Sequence, residues 1–176
     1  MRLPAIVVVA FCVTLVFGMT ACQRAEEKVA EEVAEKAMED ATGSDVELDE
    51  NKVTITGEDG ESVEISGSEA ELAEGFPSDV PVYEDGTIES SGKIAAGGVE
   101  NYTVSVVTND SVNDVFEWYK SEFDDKGWNM TSEFSAGTSE GDSAMLSFEK
   151  SGRIATLAIS QEPGGETMIA CTVASE

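Results

Sequence analysis

The sequence predicts an α+β fold, a mainly antiparallel sheet with one helix packed on a face, in the order β-β-α-β-β-β-β. Two observations carry this. Short runs of alternating apolar and polar residues, separated by turn residues, fill residues 76–176. Among them, one stretch after Asp110-Ser111 instead spaces its apolar residues for a helix. With 176 residues and 41% hydrophobic composition, the chain can build one cored domain with appendages.

In chain order, Met1-Arg2 opens the sequence and Ala5–Phe17 is apolar except for Thr14. Its length falls short of the roughly 20 residues that a membrane-spanning helix needs and suits the core of a signal peptide. Gly18-Met19-Thr20-Ala21-Cys22 follows. This stretch resembles the lipobox of bacterial lipoproteins, with Met19 where leucine is usual. The resemblance implies that residues 1–21 are a signal peptide. It also implies that Cys22 becomes the N-terminus and carries a diacylglycerol and an N-acyl chain such as palmitate. The competing reading is an uncleaved N-terminal anchor. Several acyl chains hold a protein stably on a membrane, where one is marginal. In similar enterobacterial proteins an aspartate after the cysteine retains the product in the inner membrane. Gln23 therefore implies the outer membrane, facing the periplasm, with the inner membrane as the alternative.

Residues 22–43 read as anchor and acidic stalk. Glu26–Ala41 is rich in helix-forming Glu, Ala and Lys, and Gly43 stands where a helix would end. Its stripe, Val29, Val33, Ala37 and Ala41, is narrow and mostly small. A spacer and a pairing helix are both open, with a partnerless charged linker as the plainer reading.

Residues 44–75 read as an acidic β-hairpin segment and linker. Val46-Glu47-Leu48, Lys52–Thr56 and Ser62–Ser66 alternate, and Val46, Leu48, Val53, Ile55, Val63 and Ile65 would line one face. Three such short strands are marginal alone and must dock on something or stay mobile. The acidic turns around Asp49 and Asp59 invite a calcium reading. Neither has the Asp-x-Asp-x-Asp-Gly spacing of a calcium loop, so no metal is assigned.

Residues 76–176 form the α+β domain. Phe76–Tyr83 holds Pro77 and Pro81 and makes an extended lead-in. Thr87–Ile94 and Glu100–Thr108 are strands joined by a Gly97-Gly98 turn. Ser111 with Asp114 forms a capping box. Val112, Val115, Phe116, Tyr119 and Phe123 then make one helical face, which Gly127 ends. Trp128–Phe134, Ala144–Glu149, Arg153–Ser160 and Thr167–Val173 complete the strands, and their short links favour an antiparallel meander.

The chemistry-bearing residues are few. There is no histidine, which removes the commonest acid–base group and metal ligand. Cys12 falls in the signal peptide and Cys22 takes lipid, so Cys171 has no intrachain disulfide partner. Its place between Ile169 and Val173 reads as inert core. Ten basic residues face 36 acidic ones, for a net charge of -26. That charge repels nucleic acid and disfavours lying flat on an anionic bilayer. It suits solubility or a basic protein partner. Trp118 lies off the centre of the helical stripe. It is either covered by a neighbouring segment or a partner contact.

The Phe76–Tyr83 lead-in and Trp118-Tyr119-Lys120-x-x-Phe123-x-x-x-Gly127-Trp128, with the lipobox and the acidic helical stalk, resemble a loose group of small bacterial lipoproteins of unknown function. These are packing motifs, so the resemblance implies architecture and address. The expected function is a non-enzymatic, membrane-anchored envelope lipoprotein acting as a binding or assembly module, without cofactor beyond the lipid on Cys22. The alternatives are an inhibitor or scavenger of a basic envelope-active protein, and a carboxylate-dependent hydrolase. With 36 acids, carboxylate pairs arise by chance and add little to the hydrolase reading.

Overall fold

A computed structural model of the chain describes residues 36, 39, 43–49, 51–57, 60–67, 71–139 and 141–175. The expected signal peptide, Cys22 and nearly all of the expected stalk lie outside the described residues.

Among the described residues, nine strands form one antiparallel sheet with a helix on it. In chain order they are β1 (Asp45–Asp49), β2 (Lys52–Thr56), β3 (Ser62–Ser66), β4 (Thr87–Ala96) and β5 (Val99–Thr108), then α1 (Val112–Asp125). β6 (Asn129–Thr138), β7 (Gly141–Lys150), β8 (Arg153–Gln161) and β9 (Thr167–Ser175) follow. The spatial order is β1-β2-β3-β4-β5-β9-β8-β7-β6. The last strand therefore pairs with β5, and α1 carries the chain across the sheet to its far edge.

Each element has a local cause. Gly97 and Gly98 have φ of 60° and 85°, the two positive values that a tight hairpin turn requires. The Ser111 side chain caps α1 by accepting from the Asp114 N–H at 3.2 Å, and its hydroxyl donates to the Asp114 carboxylate at 2.7 Å. At the other end, the Trp128 N–H reaches the Phe123 carbonyl and the Gly127 N–H reaches that of Asp124. This is a Schellman closure, and Gly127 at φ 75° takes its left-handed position. The Phe123 and Trp128 rings meet edge to face at 5.5 Å, supplying its hydrophobic contact.

The buried face of α1 comprises Val112, Val115, Phe116, Tyr119 and Phe123, the five residues its periodicity selects. They pack on Val104 and Val106 of β5, Ile169 and Cys171 of β9, Leu157 and Ile159 of β8, and Leu146 and Phe148 of β7. Phe123 stacks on Phe148 with centroids 4.0 Å apart. β6 contributes little, since its residues are exposed apart from half-buried Ala136.

The acidic meander continues this sheet through β3–β4 pairing, with Val63 opposite Ile94 and Ile65 opposite Gly92. Register fixes its face. Ile94 pairs with Asn101, whereas Lys93 pairs with Tyr102 on the helix side. Val46, Ile55 and Val63 lie in register with Ile94. Their apolar side chains therefore stand on the face opposite α1. Val46, Val53 and Ile55 form a buried cluster separate from the main core. The hydrogen-bond ladder joins the two parts, while their cores lie on opposite sides of the sheet.

Several strands run further than the alternation suggests, β4 to Ala96 and β6 to Thr138. Hairpin partners extend a strand beyond the point where its own pattern fades. Trp128, read as the first residue of a strand, instead precedes β6 and belongs to the helix closure.

Candidate functional site

The lead-in crosses the helix face of the sheet beside α1. The Ala73 N–H donates to the buried Ser91 hydroxyl at 2.9 Å, and Phe76 meets the Tyr102 ring edge to face at 5.9 Å. Val80 and Tyr83 are buried in the main core. The Tyr83 N–H donates to the Tyr119 hydroxyl at 3.2 Å, and the Tyr83 hydroxyl donates to Asp110 at 2.7 Å. Burial first, and the Asp110 hydrogen bond second, push the Tyr83 phenol well above its usual pKa. The two hydrogen bonds hold the lead-in against the middle of α1 and the turn that precedes it.

Asp79 is the centre of this arrangement. Its carboxylate accepts from both terminal guanidinium nitrogens of Arg153, Nη1 and Nη2, at 2.9 and 2.7 Å, and from the Lys150 ammonium at 2.8 Å. Its backbone carbonyl accepts from the Trp128 indole N–H at 2.8 Å. The Arg153 guanidinium lies 5.0 Å from the Trp128 ring centroid. Lys150 also donates to the Lys126 carbonyl at 2.7 Å, at the end of α1. One residue thus ties together the lead-in, the helix end and the β7–β8 turn. The Arg153 hydrogen bonds, reinforced by Lys150 and opposed by desolvation, hold the Asp79 carboxyl far below the usual range. Asp79 uses two of the ten basic residues in a chain with 36 acids. Its place in the Phe76–Tyr83 motif was the sequence signal for a role that reading the sequence missed.

Trp118 is half-buried. Its ring meets Tyr83 at 4.9 Å and Tyr119 at 4.8 Å, both edge to face. It thus borders the core and is partly covered by the lead-in. Beside it runs a groove of about 310 Å³, with Phe76, Pro77, Pro81 and Val82 on one wall and Trp118 on the other. Glu84, Glu122 and Lys126 add charge to its lining.

Cys171 is buried, and burial pushes its thiol up to about 12. Among the described residues, no group of three or more His, Cys, Asp or Glu side chains is placed to hold a metal ion. None of the described helices is long and apolar enough to cross a membrane.

Residues 88–165 match a START domain-like family. The match runs from the second residue of β4 to the turn before β9 and covers less than half of the chain. It includes Trp118 and the Lys150–Arg153 turn, and excludes the lead-in and the meander. No curated protein matches the chain, and no solved structure does.

Proposed function

We propose that this chain is a lipid-anchored envelope lipoprotein whose α+β domain is a non-enzymatic binding module, taking a protein segment in the groove beside Trp118. The groove carries the reading: it leaves an aromatic side chain half-open at the surface. Partly exposed indoles of this kind are frequent anchors at protein interfaces. The lipobox-like stretch ending in Cys22 supports the anchor, since a signal peptide and a tethering lipid together place the domain at a membrane surface. Near the groove, the Asp79 carboxylate is taken by Arg153 and Lys150 and the Tyr83 hydroxyl by Asp110, so both serve structural contacts.

The test is capture from envelope extract by the full chain and by Trp118→Ala. The substitution should cost about 1–2 kcal/mol, below the 3–5 kcal/mol of a fully buried tryptophan, because the ring is only half-covered. A partner held at high salt by the parent chain and lost by the variant supports the groove. A partner released by salt and indifferent to Trp118 would replace this reading with that of a scavenger of a basic protein. For the anchor, Cys22→Ser should shift the chain to the soluble fraction or leave an unprocessed precursor. Cleavage at the same site with continued membrane fractionation would reject lipidation.

A further inference from the structure

The two edges of the sheet are unlike. β1 presents exposed Asp45, Glu47 and Asp49, and charged side chains discourage another strand from joining an edge. β6 is twice as long, ten residues against five. Its one charged side chain, Glu133, is turned to the helix side, where it pairs with Lys120 at 2.7 Å. On the outer face, Phe134 is 61% exposed and stands in register with Met145, itself 51% exposed. Ala158 and Ala170 continue the same row. Among the described residues no strand pairs with the outer side of β6. A long, nearly uncharged edge beside an apolar row is a template for strand addition.

We propose that β6 pairs antiparallel with β6 of a second copy of this chain, joining the two sheets about a two-fold axis through Phe134. Self-complementarity favours a second copy. In that register Phe134 faces Phe134, Ser132 faces Ala136, and Glu133 faces Ser135, so no like charges stand directly opposite; the two Glu133 lie diagonally across the axis, each paired with its own Lys120. In a chain of net charge -26 such a strip is unusual. Pairing of β6 with β1 of another copy would be head-to-tail and open-ended, and it would set the β1 acids against the joined edge. The two-fold contact closes after one step. It adds a function beyond the Trp118 groove, which lies on the helix side of the sheet and is left open.

Facing residues in an antiparallel pair have Cα atoms about 4.5–5.5 Å apart, within disulfide range. The full-length chain carrying Phe134→Cys, oxidised in isolated membranes, should form a disulfide-linked species of twice the monomer mass. The parent chain reports on native thiols, and Asp45→Cys on random collision. Adding Ser132→Lys to Phe134→Cys should reduce the cross-link at least tenfold, since it sets two new charges in the joined edge. Raising salt should strengthen it by screening repulsion between two acidic chains. A Phe134→Cys chain that stays monomeric overturns the proposal. So does equal cross-linking at Asp45→Cys, indifference to Ser132→Lys, or a disulfide to a different protein.

Discussion

Asp79 shows how one carboxylate can join three parts of a chain. Because its folded pKa is depressed, its contribution to stability is present above the ordinary value of 3.8 and is lost as pH falls through the lower folded value. Asp79→Asn should therefore lower stability by about 1–3 kcal/mol at pH 7 and by much less at pH 2. Denaturant titrations of parent and variant at both pH values measure the difference, and an equal loss at both would remove the charge from the explanation. Cys171 makes a second residue-level case. Burial and a raised pKa leave almost no accessible thiolate at pH 8. Alkylation mapped by mass spectrometry should leave Cys171 untouched in the native chain and modify it fully in denaturant.

At the scale of elements, α1 holds its position by closures at both ends. The Ser111 cap satisfies a backbone donor of the first turn. Ser111→Ala should cost about 1 kcal/mol, read as a lower denaturation midpoint with an unchanged m-value. Ser111→Asp should recover most of that loss, because aspartate caps as well and suits the positive helix end. Its carboxylate would face Asp114, so recovery should improve as salt rises. The meander and β6 differ in the same way at their outward sides. β1 carries charge, whereas β6 relies on neutral side chains beside an apolar row.

At the scale of the molecule, the described residues form one sheet with two apolar clusters on opposite faces. The main cluster draws only on residues from the lead-in to β9, so residues 76–176 should fold without the meander. Removing β1–β3 leaves β4 as an edge and strips the cover from one side of Gly92 and Ile94. The shortened chain should unfold in one cooperative transition at lower stability, with a greater tendency to associate. Fluorescence and circular dichroism transitions that fail to coincide would show that the meander belongs to the same cooperative unit.

The sequence alone determined the face of α1, the inward residues of β5 and β9, the Gly97-Gly98 turn and the common face of the meander. Each of these is set by side-chain period or backbone sterics within a dozen residues. Which strands neighbour one another was decided only by the tertiary structure. Pairing of β9 with β5, the place of β6 at an edge and the side of the sheet on which the meander's apolar residues stand depend on how distant segments close on one another. The same limit applies to the candidate site. Trp118 was legible as a residue off the helical stripe, because a helix has a fixed angle per residue. The groove beside it requires the lead-in to lie along α1, and the Asp79–Arg153 pair spans 74 residues. A single chain's local pattern records which face a side chain takes, and the partner across that face is chosen by packing of the whole.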